Sequence, residues 1–424
     1  MSKVYDVIVV GAGASGLIAA GRAAELGGNV LLLEKMERAG RKLLITGKGR
    51  CNITNDAPVS EFIRHIYPNG RFLKHAFSTF FSQDILRLLA DQGLETVVER
   101  GGRIFPVTDK SADVVNALMK RVDKLRVEIE YGQKAESLII CDGIAKGLKV
   151  SSAGQSREVL GRNIILCTGG SSYPATGSTG DGYRMAAAAG HTIAPPRPAL
   201  VPLETSGEMA QKLQGLSLKN VNAAVWVNGR KFREEFGEML FTHFGLSGPI
   251  ILSLSRFVVD ELLKKNQVEI SVDLKPALDE VKLDHRLIRD LDEHGKKKMV
   301  NIFRLWLPAM LIPVFLEETC IDGEKEGHQV TSKERRKIML LMKNLRFRVS
   351  GYRPFKEAII TAGGVITSEI DPKTMESKKV RNLYFAGEVI DLDADTGGYN
   401  LQIAFSTAWL AAQSSMMSAI VPVQ

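Results

Sequence analysis

Val4-Tyr5-Asp6-Val7-Ile8-Val9-Val10-Gly11-Ala12-Gly13-Ala14-Ser15-Gly16 decides the fold. The apolar, β-branched run over residues 4–10 has strand length and stops at a GxGxxG turn. Gly11 permits the tight turn, Gly13 lets the backbone approach a pyrophosphate, and Gly16 lets the next helix pack closely on the strand. Alanines and leucines at helical spacing over residues 14–26 predict a helix whose N-terminal N–H groups point at phosphate; Ala14 and Ser15 open it. Residues 29–33 form a second strand ending at Glu34. An acid there accepts from a ribose 2′-hydroxyl and repels a 2′-phosphate, so the unit favours the adenosine of FAD or NAD over NADP.

Downstream segments choose between those two. Lys35 and the loop over residues 40–55 concentrate bases and glycines just past the ribose acid: Arg41, Lys42, Thr46, Gly47, Gly49, Arg50, Cys51 and Asn52. Such a loop suits the pyrophosphate and the approach to a redox ring, glycine admitting backbone and the bases neutralising charge. Residues 61–94 read as helical, with Phe72, Ala76, Phe80 and Leu88 as core; residues 103–106 read as a turn and 111–122 as a helix. Two short strands follow over 127–140, with Ala135 expected to touch adenine through its backbone. Residues 162–167 form a buried strand ending in Thr168-Gly169-Gly170, a second glycine turn near the cofactor. The stretch 173–183 resembles the glycine-rich turn of fumarate-reductase-like flavoproteins.

Pro195-Pro196-Arg197-Pro198 reads as a linker into an insert over 195–349, β-rich at 195–275 and helical at 276–349. Asn228-Gly229 marks a hairpin turn, and Pro249 the first turn of a helix. The first domain, 1–194, resumes at 350–424. There a strand over 380–386 ends in Gly387-Glu388, an acid placed for ribityl hydroxyls. Gly397-Gly398-Tyr399-Asn400-Leu401 opens a closing helix whose N-terminal donors suit a flavin pyrimidine edge. An NAD-only enzyme has no use for that return, which selects FAD. The fold class is α/β: a Rossmann-like FAD-binding domain with a parallel sheet, interrupted by the insert.

Bulk composition fits this reading. The 424 residues exceed one compact core, and 45% hydrophobic with 25% charged residues is ordinary for a globular chain. No apolar run approaches the ~20 residues that cross a bilayer, so a cytoplasmic location is expected. Four cysteines, Cys51, Cys141, Cys167 and Cys320, form no CxxC pair; neither a disulfide framework nor a metal site is expected, and Cys51 beside Arg50 is the one thiol with a cation at hand. Of the net charge of +8, residues 281–350 supply +5, with 15 Lys and Arg against 10 Asp and Glu.

Over nearly its whole length the chain resembles the BaiN/YhiN-like family of bacterial NAD(P)/FAD-dependent oxidoreductases. The resemblance rests on GAGASG at Gly11, GRKLLITGKGRCNITN at Gly40, TGG at Thr168, FTHFGLSGP at Phe241, TAGGV at Thr361 and LYFAGEVIDLDADTGGYNLQIAFS at Leu383. It implies a two-dinucleotide-binding-type FAD fold with a characteristic insert; one member type reduces oxo-bile-acid double bonds. No second GxGxxG with its own strand and acid is present, so NAD(P)H is expected only as a transient electron donor.

The leading expectation is an ene-reductase acting on a small-molecule substrate, an activated C=C in an enone. Arg50, Arg353, Tyr399 and His243 are the candidates for holding a developing enolate or supplying a proton. A second reading assigns the basic insert to RNA and makes the chain a flavin-dependent tRNA-modifying enzyme. A third is a non-catalytic flavin redox sensor. Sequence leaves the oligomeric state open.

Overall fold

The computed structural model describes residues 3–420. Two compact units divide the chain: Met1–Pro198 with Ile359–Gln424, and Ala199–Ala358.

The first unit is built on β1 (Val4–Val10), α1 (Ala14–Glu25) and β2 (Val30–Leu33), followed later in the chain by β3 (Glu128–Glu130), β4 (Lys134–Cys141), β5 (Ile144–Ser152), β6 (Gln155–Leu166), β7 (Leu383–Phe385) and α2 (Tyr399–Ile420). The sheet runs β3-β2-β1-β6-β5-β4, and β7 joins the far half of β6. β3, β2, β1, β6 and β7 are parallel, whereas β4, β5 and the near half of β6 form an antiparallel meander. β6 therefore serves two roles: residues 155–160 pair β5, and residues 164–166 pair β7. β1 and β2 read as continuous apolar runs because helices cover both faces of a parallel sheet; Val7 to Val9 and Leu31 to Leu33 are buried. α1 packs against α2, so the opening and closing elements of the chain share one core that includes Leu17, Phe405 and Leu410.

The second unit is a closed six-stranded antiparallel barrel in the order Leu203–Thr205, Gly245–Ser247, Arg230–Thr242, Ser217–Val227, Val268–Asp273, Leu345–Tyr352. Closure removes every free sheet edge. Helices Pro249–Leu263, Glu280–Glu293, Leu311–Thr319 and Ser332–Lys343 share its core, which includes Phe241, Leu246, Leu254, Ile270, Phe303, Phe315 and Phe347. Asn228 and Gly229 both take positive φ in the hairpin turn, and Pro249 opens its helix at N1, as the sequence predicts.

Several local expectations are corrected. Residues 195–198 are not a free linker: they belong to strand Ile193–Ala199, which pairs with Ile360–Val365. The change of unit falls at 198/199, and the return at 358/359 follows a barrel strand that runs on to Tyr352. Residues 103–106 are a strand, not a turn, joining Thr54–Asn55 and Thr96–Glu99. The 61–94 region is not one helical run; Pro68 and Gly70 break it around the short strand Ile66–Tyr67. No helix among the described residues is long and apolar enough to cross a membrane.

Candidate FAD site

The glycine turn has the steric pattern that a pyrophosphate needs. A Cβ on Gly16 would lie 1.7 Å from the Gly11 carbonyl oxygen, and one on Gly11, with φ +100°, would lie 2.6 Å from that of Cys167. A Cβ on Gly13 would meet nothing within 4 Å. Two glycines are thus demanded by the protein's own packing, while the third faces open space at the N-terminus of α1, where no side chain caps the helix. That space fits a phosphate group bound by N–H donors and the helix dipole.

Glu34 sits immediately after β2 and accepts from the backbone N–H groups of Ala12 (2.8 Å) and Met36 (2.8 Å), so its carboxylate is fixed beside the turn. The turn between β3 and β4 reaches the same place: Gln133 N–H donates to the Glu34 carbonyl at 3.0 Å. Ala135, just beyond, is buried in β4. Lys35 is taken up by Asp181 and Thr179 of the glycine-rich turn before helix Asp181–Ala188.

The basic loop is more structured than the sequence suggests. Arg41 begins a short helix, Arg41–Ile45, and Thr46 donates to the Leu43 carbonyl at 2.6 Å. Gly47, Gly49 and Cys51 all take positive φ in the turn that follows. Lys42 reaches across to Glu388 (2.7 Å) and to the Ser172 hydroxyl. Glu388 also accepts from Thr361 N–H (2.8 Å) and Ser172 Oγ (3.1 Å), while Gly170 N–H donates to it at 3.3 Å. Lys42, Gly170 and Glu388 therefore form one clamp at the ends of β6 and β7, with Ser172 and Thr361 as members that the sequence reading missed. Ser172 carries no motif of its own, and the TAGGV run that Thr361 opens gives no sign of a contact with Glu388. Thr168 and Gly169 lead into that clamp, and Gly169 has φ +68°.

The chain's last return closes on its first turn. A Cβ on Gly387 would come within 2.8 Å of the Ser15 hydroxyl, and one on Gly398 within 2.4 Å of the Thr54 backbone. Asn52, with its amide oriented to satisfy its neighbours, accepts from Gly398 N–H at 3.1 Å, and Asn55 donates to the Gly397 carbonyl at 3.0 Å. The Asn400 amide is spent on Ala394, donating to its carbonyl and accepting from its N–H at 2.9 Å each. Gln402 is occupied by Thr54 and Ser406. The donors that α2 can offer a flavin are accordingly the backbone N–H groups at Asn400 and Leu401, not these side chains.

The four expected catalytic residues fall into two groups. Arg50 and Tyr399 belong to the first unit. Arg50 is held by Glu99 and Asp109 and lies 4.2 Å over the Phe105 ring; these two carboxylates raise its pKa further. Tyr399 stacks on His65 at 4.5 Å, and burial pushes its phenol up to about 12, so it stays protonated at neutral pH. Arg353 and His243 belong to the second unit, where the structure brings them to one cluster. Arg353 donates to Glu357 (2.9 and 2.8 Å) and Glu204 (2.8 Å) and lies 4.6 Å over Phe244, whose ring meets His243 edge-on at 4.9 Å. Cys51 is fully buried, and burial pushes its thiol up to about 12 despite a hydrogen bond with Thr46; the neighbouring Arg50 does not make it a thiolate. Among the described residues no cluster of His, Cys, Asp and Glu has the makings of a metal site.

Residues 5–414 match the HI0933-like protein Rossmann domain family. The chain belongs to this family of FAD-dependent oxidoreductases. It is 31% identical over 409 residues to the 3-dehydro-bile acid delta(4,6)-reductase of Clostridium scindens, covering 96% of this chain and 98% of that one. It is 30% identical over 416 residues to the ribosomal RNA dihydrouridine synthase of Escherichia coli, covering 96% and 97%. Among solved structures, 3-ketosteroid delta1-dehydrogenase from Sterolibacterium denitrificans aligns with TM-score 0.50 and 14% identity over 98% of this chain and 100% of that one. Mycobacterium smegmatis Sdh1 aligns with TM-score 0.51 and 15% identity over 100% and 70%. At such identity the structural likeness establishes the fold alone.

Proposed function

We propose that this flavoprotein reduces a carbon–carbon double bond conjugated to a carbonyl. The observation that carries the reading is that two relatives, about equally similar over nearly the full chain, are named for such reductions: one for the delta(4,6) double bonds of a 3-dehydro-bile acid, the other for making dihydrouridine. The uracil C5=C6 bond is conjugated to the C4 carbonyl as the C4=C5 bond of a 3-oxo-4,6-diene is to its ketone, so at either bond hydride adds to the carbon remote from the carbonyl and a proton to the carbon next to it. Reduced FAD supplies that hydride, with NAD(P)H as the proposed donor that recharges it.

The chain's own part is to bind and to polarise. Gly11 to Gly16 and Glu34 would hold the adenosine diphosphate half, with Lys42, Glu388 and Gly170 near the ribityl chain and the Asn400 and Leu401 N–H groups facing the pyrimidine edge.

A small enone is the first substrate proposed. A second reading, a uridine in RNA, is favoured by the dihydrouridine synthase relatives, among which that of Haemophilus influenzae is also 30% identical over 98% of this chain. It is also favoured by exposed cations of the second unit, Lys296, Lys297, Arg304 and Lys333. Anaerobically reduced protein mixed with a 3-oxo-4,6-diene steroid, or with ribosomal RNA transcribed without modification, separates the two. Reoxidation by the steroid alone supports the first, reoxidation by RNA alone the second, and reoxidation by neither rejects the common chemistry.

A further inference from the structure

We propose that His65, aimed by Asp395 and backed by the Tyr399 ring, is the proton donor of this reaction. This rests on the C=C reduction proposed above and goes beyond it by assigning the second half of the chemistry to a particular atom.

Three independent features converge on the His65 ring. Its Nδ1 lies 2.9 Å from Asp395 Oδ2, and the Asp395 carboxylate is only 12% exposed. Its plane stacks on Tyr399 at 4.5 Å with an angle of 20°, and Phe62 fixes Tyr399 from another side at 4.6 Å, edge-on. Its backbone is pinned as well: Asp395 N–H donates to the His65 carbonyl at 3.0 Å, and Ile66–Tyr67 pairs with Asp393–Ala394. A carboxylate on Nδ1 sets the tautomer and leaves Nε2 as the working nitrogen. That side chain is 35% exposed, so the imidazole is oriented yet reachable.

Asp395 and Tyr399 bracket Gly397 and Gly398, the turn that leads into α2 and its backbone donors. A ring placed at that helix N-terminus would have Asp395 on the same loop, with His65 hydrogen-bonded to it. Glu61 also acts on this cluster: its charge, with that of Asp395, helps hold the Tyr399 phenol protonated.

Hydride arrives at the carbon remote from the carbonyl, and the π electrons move to give an enolate. The carbon next to the carbonyl then takes the Nε2 proton of imidazolium, forming a C–H bond as the N–H bond breaks. Water reprotonates the imidazole. His65 is then a catalytic residue and Asp395 a positioning residue.

The test uses FAD-loaded full-length protein, wild type and the variants His65→Ala, His65→Asn and Asp395→Asn. Each is reduced anaerobically and mixed with whichever of the steroid diene or the unmodified ribosomal RNA reoxidises wild type. Reoxidation by that probe should fall about a hundredfold in both His65 variants, the scale of a lost general acid. Reoxidation by oxygen and FAD affinity should stay within about twofold, since neither delivers a proton to carbon. Free imidazole should restore the His65→Ala rate, and the bound probe should block carbethoxylation of His65 in wild type, read by mass spectrometry. Asp395→Asn should slow the step and respond less to imidazole than His65→Ala does. Unchanged probe reoxidation in both His65 variants, equal loss of oxygen reoxidation and FAD binding, or labelling of His65 indifferent to the probe would each overturn the assignment while leaving the proposed reaction standing. Wild type that neither probe reoxidises would remove the reaction and this assignment together.

Discussion

Replacing Gly13 by Ala should weaken flavin binding about tenfold to a hundredfold while leaving the protein folded. Gly13 has an ordinary φ of −83°, and its added methyl meets no protein atom within 4 Å. Alanine loses a little at a helix N-cap and gains about 0.4–1 kcal/mol through a stiffer unfolded chain, so the net change in apoprotein stability is under about 1 kcal/mol. The methyl occupies the space assigned to phosphate. A hydrogen bond to a charged group contributes about 1.5–3 kcal/mol, so displacing one phosphate oxygen from one N–H weakens binding about tenfold to a hundredfold. Gly16→Ala is the contrast, since its methyl would fall 1.7 Å from a backbone oxygen and must open the turn itself. FAD titration of apoprotein, followed by flavin fluorescence quenching alongside thermal melting, separates the two variants. Gly13→Ala should melt like wild type and bind poorly; Gly16→Ala should lose both. A Gly13→Ala protein that binds FAD within twofold of wild type would refute the placement of the pyrophosphate.

Further outcomes follow from the same geometry. Glu34→Gln keeps the contacts to Ala12 and Met36 in part but loses a charged acceptor for the ribose, and calorimetry should show FAD binding weakened about tenfold, equivalent to about 1.4 kcal/mol. Arg50→Ala breaks the contacts to Glu99 and Asp109 and should lower the melting temperature while FAD affinity stays within about threefold; a larger loss of affinity would return Arg50 to the cofactor. Cys141 and Cys320 are exposed whereas Cys51 and Cys167 are buried, so Ellman's reagent should modify the first pair at once and the second only on unfolding. Burial raises both buried thiols from an ordinary value of 9.0 to about 12, so the native state holds protons that the unfolded chain releases. Stability should be intact below pH 9 and fall as pH rises towards 12. Melting temperatures flat across that window would contradict the burial.

The parts of this molecule legible in sequence are those where one residue type has one physical purpose. Gly11 and Gly16 are required by backbone contacts, Glu34 by the end of a strand, and Asn228-Gly229 by a hairpin turn, and each lies where the sequence places it. The barrel was not legible, because closure depends on Leu203–Thr205 meeting Leu345–Tyr352 across most of the insert, a pairing that local pattern does not encode. Residues 195–198 misled because prolines usually mark linkers, whereas here they lie in a strand with a single partner, where missing N–H donors are tolerated. Charge was legible only in part, because a sequence shows the bases and not their partners. The bases of residues 281–350 look like a patch in one dimension, yet Arg335 is spent on Asp284, Lys325 on Glu334, Lys343 on Asp273 and Arg346 on Glu269. His65 stayed invisible because its partner Asp395 is 330 residues away, and a lone histidine in an apparently helical stretch carries no signal of its own.

Hydrogen exchange of the full chain with and without FAD tests the account most directly, because it asks whether one cofactor touches both ends of the polypeptide. Slowed exchange is expected together at the Gly11–Gly16 turn, in the loop around Gly47 to Asn52, at Gly169-Gly170 and at Asn400-Leu401. Slowing confined to the first turn, with the Asn400-Leu401 amides exchanging alike in both states, would contradict it.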